Sequence, residues 1–174
     1  MTQRLPRSAE PLCLTLTAGA LIWIATSLKI HDHVAESVSQ HGLIDTSVVI
    51  GLERIEPDTL PQRVAIAAIT LAELAAGPHA TPHTDERARR QQRLQLAEAT
   101  FDPIPFDAAC ARAYGLVYAE TVRAGRKARG ARAIDLLIAA TALAAKLPLY
   151  TANRADFDAL SALIELHTVS LTAA

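Results

Sequence analysis

From residue 42 to the carboxyl end, apolar and polar positions alternate in short blocks that read as strands and helices in turn. Leu43-Ile44 is a short apolar strand ending at Asp45, and Ser47 to Leu52 can begin a helix. Val64 to Ile69, rich in β-branched residues, predicts a buried strand, followed by a short helix over Thr70–Ala76 that Gly77-Pro78 stops. Asp85 to Ala99 is a charged helix carrying Arg87, Arg89, Arg90 and Arg93, and Phe101 to Pro105 is a strand-like connector containing breakers. Asp107 caps a helix that runs through Glu120 and beyond. Ile134 to Leu147 is apolar almost all round, which predicts a central, buried helix. Leu149 to Thr151 is a short strand, and Leu163 to Leu171 contains a last one. Strands alternating with helices in this way imply βαβ units: an α/β fold of three layers, with a central parallel sheet covered on both faces.

Residues 1–41 break the pattern and form an amino-terminal extension. Leu12 to Leu28 holds no charged residue, and Arg4 and Arg7 precede it. Three readings stay open. The segment is an appendage or the product of a start codon placed too far upstream, with Val34 or Val38 as initiating residues. It is a membrane anchor, although a spanning helix needs about 20 apolar residues and this run is shorter and dotted with Thr and Ser. Or it is a secretory signal with Ala18-Gly19-Ala20 as the cleavage site. The first reading places the protein in the cytoplasm, and the others leave membrane contact or secretion open.

Composition narrows the classes. The 174 residues are 51% hydrophobic, which excludes a disordered chain, and a net charge of −1 excludes a globally basic nucleic-acid binder. Cys13 and Cys110 are too few for a disulfide scaffold. The six histidines, among them His31, His33, His79 and His83, show no zinc-site spacing and read as solvated loop residues.

The chemistry rests on four carboxylates. Asp45 follows the first strand, Glu73 lies in the helix after the second, Asp135 opens the apolar helix, and Asp156 follows the strand at Leu149–Thr151. Each has a local explanation. Thr70 to Glu73 matches a capping box, Asn153 to Asp156 a capped first turn, Asp135 a charge at the positive end of a helix, and Asp45-Thr46-Ser47 an Asx or ST turn. Taken together, all four fall at the carboxyl edge of the predicted sheet, where α/β sites form. Capping does not require that. Clustered carboxylates repel unless a cation compensates, and oxygen ligands without His or Cys suit Mg²⁺ or Mn²⁺. Such an ion activates water against a phosphodiester, so the acids point to metal-assisted hydrolysis.

The segments Leu43-Ile44-Asp45-Thr46-Ser47-Val48, Ile69-Thr70-Leu71-Ala72-Glu73-Leu74, Ala133-Ile134-Asp135-Leu136-Leu137-Ile138-Ala139-Ala140-Thr141-Ala142 and Leu149-Tyr150-Thr151-Ala152-Asn153-Arg154-Ala155-Asp156-Phe157 resemble the successive signature blocks of PIN-domain nucleases. More narrowly, they are similar to VapC-type toxins of bacterial toxin–antitoxin pairs. The resemblance implies a PIN domain over residues 42–174 and an endoribonuclease that needs Mg²⁺ or Mn²⁺. It also implies a homodimer silenced by a cognate VapB antitoxin. By match to the family's motifs, Asp45, Glu73, Asp135 and Asp156 are the expected catalytic, metal-binding acids, with Thr46, Ser47, Thr151 and Asn153 as supporting polar residues. The family often has Arg where Ala152 stands and Pro where Ala155 stands, so no basic RNA contact is expected at Ala152.

Arg123, Arg126, Lys127, Arg129 and Arg132 form a basic run just before Asp135. As phosphate contacts, Arg126, Lys127, Arg129 and Arg132 would hold RNA beside a pocket that otherwise repels it; as a solvated loop they would do nothing specific. Two other readings compete. A phosphatase or phosphoacceptor would use Asp45 as nucleophile, although no second Asp stands two positions on. A non-catalytic module would keep the PIN fold only to bind a partner. The Tyr114, Leu116, Val117 and Tyr118 stretch reads mainly as core, with room for a partner helix.

Overall fold

The structure, a computed structural model, describes residues 40–172, so the readings made for residues 1–39 lie outside it. Strands β1 (His41–Ile44), β2 (Arg63–Ala65), β3 (Leu149–Thr151) and β4 (Leu166–Thr168) pair in parallel in the order β2-β1-β3-β4. The helices are α1 (Thr46–Gly51), α2 (Ala68–Ala76), α3 (Thr84–Thr100), α4 (Ala108–Arg123), α5 (Ala131–Ala145) and α6 (Arg154–Phe157), with short 3₁₀ turns between several of them.

The strand period of two sorts the core into two layers. Leu43 and Leu149 point to one face of the sheet and join Ala113 and Val117 of α4, Leu136, Ile138, Ala139 and Ala142 of α5, and Phe157. Their neighbours Ile44 and Tyr150 point to the other face and join Val48 and Val49 of α1, Leu74 of α2, and Leu94 and Ala97 of α3. This is the three-layer α/β arrangement expected from the pattern. At Gly42 a Cβ would stand 2.4 Å from Tyr150 Cε2 and 2.9 Å from Pro61 Cγ, so glycine is what lets the Tyr150 ring lie against β1.

The structure alters two local expectations. The run Val64 to Ile69 is not one buried strand: β2 ends at Ala65, Ala67 bridges to Ile104, and α2 starts at Ala68. Paired only with β1 at the sheet edge, β2 leaves Arg63 exposed and Val64 and Ala65 half-buried. Helix α5 is buried along Leu136, Ile138, Ala139, Ala140, Thr141 and Ala142, but Ile134 is exposed. Asp107 does cap α4, accepting from the amides of Ala109 and Cys110 at 2.8 and 3.0 Å.

The chain leaves central β1 for β2 on one side and returns to β3 on the other. Strand order therefore reverses at β1 and β3, and the crevice outside their carboxyl ends is where an open α/β sheet accommodates a site. Asp45 and Thr151 stand at that point.

Candidate active site

Asp45 is buried, and donors approach both of its oxygens. Its Oδ1 accepts from Ser47 Oγ at 2.7 Å and from the Val48 amide at 3.0 Å, which makes it the cap of α1. Its Oδ2 accepts from Thr151 Oγ1 at 2.7 Å, across the β1–β3 seam. The turn reading holds for this residue: one oxygen starts a helix, and the other faces the neighbouring strand end. Ser47 Oγ also accepts the Ala152 amide at 3.1 Å, and Thr151 Oγ1 accepts the Asn153 amide at 2.9 Å. Ser47 and Thr151 thereby lock the loop after β3 against the start of α1.

Glu73 is not part of a capping box. Ala67 is the cap of α2, Thr70 lies inside the helix with its hydroxyl buried and unpaired, and Glu73 stands in the second turn. Its Oε2 accepts from Thr46 Oγ1 at 2.5 Å, so the first residue of α1 tethers the acid of α2.

Asp135 stands in the second turn of α5, past the positive end that would favour a charge. Burial above all, then the negative charges of Asp156, Glu73 and Asp45, push its carboxyl up to about 6, while the Arg132 guanidinium pulls the other way. The three other acids therefore all lie within electrostatic reach of it.

Asp156 lies on the single turn of α6. The Asn153 side-chain amide donates to its Oδ2, so Asn153 serves the carboxylate and makes no side-chain cap bond to the helix backbone. Arg132 Nη2 stands 3.7 Å from its Oδ1, and Arg132 Nη1 donates to its backbone carbonyl at 3.4 Å. Arg126 donates to the Ala155 carbonyl. These two arginine contacts were not read from the chain, although Arg132 lies three positions before Asp135, on the same face of a helix. Lys127 and Arg129 are exposed.

Among the described residues, no three His, Cys, Asp or Glu side chains converge as placed to enclose one metal ion. A hard cation of the Mg²⁺ kind does not need such a cage, because it binds through one or two carboxylates and keeps several waters. The donor set is all carboxylate oxygen, and its repulsion registers at Asp135, so the residues present fit such an ion. His79 and His83 are exposed, as solvated loop residues are. A cavity lined by His41, Arg63, Phe101, Pro105, Cys110 and Leu147 opens at the other, amino-terminal edge of the sheet and holds none of the four acids.

A family profile for the PIN domain matches residues 42–163. Ribonuclease VapC5 of Mycobacterium tuberculosis is 37% identical over 122 residues, covering 68% of this chain and 87% of that protein. Ribonuclease VapC of Rickettsia bellii is 32% identical over 137 residues, covering 74% and 96%. The crystal structure of VapBC-5 from Mycobacterium tuberculosis, a member of the VapBC family of toxin–antitoxin systems, superimposes with a TM-score of 0.65 at 32% identity, covering 76% of this chain and 99% of that one. With this fold, and with its four acids at the cap of α1 and on α2, α5 and α6, the chain belongs to the PIN-domain family and, within it, to the VapC type.

Proposed function

We propose that the protein is an endoribonuclease, the toxin of a VapBC-type toxin–antitoxin pair, and that it hydrolyses RNA phosphodiester bonds with Mg²⁺ or Mn²⁺. The ribonuclease activity and the antitoxin association named for its relatives support this reading. The observation that carries it is the grouping of acids around the strand-order reversal, where Thr151 meets Asp45, Thr46 meets Glu73 and Arg132 meets Asp156, with Asp135 in the field of the other three. Asp45, Glu73, Asp135 and Asp156 would hold the ion. When bound, it supplies a Lewis acid for water attack at phosphorus and a counter-charge for the phosphodiester.

The chain's own groups set the geometry. Ser47, the Val48 amide and Thr151 fix the plane of the Asp45 carboxylate, Thr46 holds Glu73, and Asn153 orients Asp156. Asp135 loses its proton near pH 6, so it is mostly ionised at neutral pH and ready to attract a cation. Donors on both oxygens and 4% exposure make Asp45 a poor nucleophile, which disfavours the phosphoacceptor reading.

Lys127 and Arg129 are the proposed phosphate contacts. The partner is a VapB-type antitoxin, and the exposed apolar residues Leu116, Tyr118 and Val122 of α4 offer surface for it or for the second subunit of a homodimer. An RNA substrate places the protein in the cytoplasm. In the test, purified, antitoxin-free protein is incubated with diverse RNAs and Mg²⁺ or Mn²⁺, beside Asp45→Ala and Asp135→Ala variants. Wild-type cleavage that chelation stops and that each variant lowers at least about 100-fold is expected. Intact RNA with either metal overturns the reading.

A further inference from the structure

The loop between α4 and α5 and the first turn of α5 carry four cations, at Arg126, Lys127, Arg129 and Arg132, and the structure divides them into two pairs. Lys127 and Arg129 are exposed, with no hydrogen bond or ion pair among the described residues. Arg126 and Arg132 turn instead to α6, where Arg126 donates to the Ala155 carbonyl and Arg132 reaches both the carbonyl and the carboxylate of Asp156.

Helix α6 needs such support. It has four residues, its cap makes no side-chain hydrogen bond, and a one-turn helix leaves its carbonyls without intrahelical partners. Guanidinium groups at a helix carboxyl end satisfy those carbonyls and match the negative end of the dipole. Arg132 adds orientation: one nitrogen donates to the Asp156 carbonyl and the other forms an ion pair with Oδ1 at 3.7 Å, while Asn153 donates to Oδ2.

We propose that Arg126 and Arg132 are positioning residues, a two-arginine clamp that holds the α6 turn and with it the Asp156 carboxylate, and that they do not serve chiefly as RNA contacts. The inference rests on the reading of Asp156 as a ligand of the catalytic ion. It assigns the basic loop two jobs, anchoring by Arg126 and Arg132 and phosphate binding by Lys127 and Arg129. Arg132 contacts both the carbonyl and the carboxylate of Asp156, whereas Arg126 contacts only the Ala155 carbonyl.

The test uses the full chain with Arg126→Ala, Arg132→Ala, Arg126→Lys and Arg132→Lys, and with Lys127→Ala and Arg129→Ala for comparison. Three readouts are taken: amide hydrogen exchange over residues 153–158, Mn²⁺ affinity by calorimetry, and RNA cleavage split into kcat and KM. Both alanine variants of the clamp are expected to speed exchange over that stretch. Arg132→Ala is expected to weaken Mn²⁺ binding about tenfold or more, the usual cost of losing a group that orients a metal ligand. Cleavage is expected to fall in kcat, with KM within about twofold. Arg126→Lys restores the behaviour, because an ammonium can still reach one carbonyl; Arg132→Lys does not, because it loses the fork. Lys127→Ala and Arg129→Ala are expected to raise KM and leave exchange and Mn²⁺ affinity unchanged.

Unchanged exchange in both alanine variants overturns the clamp, as does a rise confined to KM with unaltered Mn²⁺ affinity. Exchange is read without RNA or metal, so it decides the clamp even where no RNA is cut; a wild type that cuts nothing overturns the ribonuclease reading alone. If an alanine variant fails to fold, the two lysine variants decide. Equal behaviour of both against wild type overturns the role of the Arg132 fork.

Discussion

Thr151 and Asp45 are 106 positions apart in the chain, yet the Thr151 hydroxyl donates to Asp45 Oδ2 at 2.7 Å, with both residues buried. The bond forms because Ile44 and Tyr150 are register partners in β1 and β3, so Asp45, just past β1, lies beside Thr151, the last residue of β3. It ties an acid that caps α1 to the loop that leads to Asp156.

Thr151→Val keeps the shape and removes the donor, leaving a buried carboxylate oxygen short of a partner. Stability is expected to fall by about 1–3 kcal/mol, the cost of an unsatisfied buried polar group. Thr151→Ser is expected to recover most of it. Urea unfolding of the two variants beside the wild type measures the difference.

Asp135 sets a pH dependence of unusual sign for an acid. Its folded carboxyl titrates at about 6, above its ordinary value of 3.8, so between these limits the folded protein holds a proton that the unfolded chain has released. The destabilising contribution is absent below about pH 4, grows as pH rises through 6 and is full above that. In metal-free protein at pH 7.5, Asp135→Asn is expected to raise the melting temperature by about 2–4 °C, the response of a domain of this size to 1 kcal/mol, once solvent screening of a half-buried group is allowed for. The gain vanishes at pH 4. Added Mn²⁺ raises the melting temperature of the wild type more than that of the variant.

Two glycines are expected to respond oppositely to alanine. At Gly42 the new methyl meets the Tyr150 ring and Pro61, and overpacking of this kind costs about 1–3 kcal/mol. At Gly115, inside α4, nothing stands within 4 Å, so the helix propensity of alanine adds about 0.5–1 kcal/mol. Thermal melts of Gly42→Ala and Gly115→Ala settle both signs.

Salt dependence separates the cations of the basic loop. Each phosphate contact to single-stranded RNA contributes a slope of about −0.7 to the log–log plot of affinity against salt. Lys127→Ala and Arg129→Ala are each expected to reduce the slope by about that amount, measured as RNA binding by a cleavage-dead Asp135→Ala background across a salt series. Arg126→Ala is expected to leave it unchanged.

The chain alone determined what depends on neighbours in sequence. Leu43-Ile44, Leu149–Thr151 and the helix capped by Asp107 were legible because apolar period and cap chemistry act over a few residues. The parallel, three-layer architecture followed from the alternation of those elements, and the acids stood out because Asp45, Glu73 and Asp156 lie just past a strand or on the helix beyond it, and Asp135 is the lone acid of an apolar helix. Where local signals conflicted, they misled. The β-branched run Val64 to Ile69 resembled one strand, but the strand ends at Ala65, Ala67 makes only an isolated bridge to Ile104, and the backbone turns into α2 at Ala68. Thr70 to Glu73 had the letters of a capping box without its position.

Only the tertiary structure decided which donors meet which acids. Thr46 to Glu73, Thr151 to Asp45 and Arg132 to Asp156 join residues 27, 106 and 24 positions apart, set by strand order and by how two helices lie on the sheet. Side-chain periodicity has no term for such distances. The raised carboxyl of Asp135 is tertiary for the same reason: burial and three remote charges create it, and each arrives on a different element of the fold.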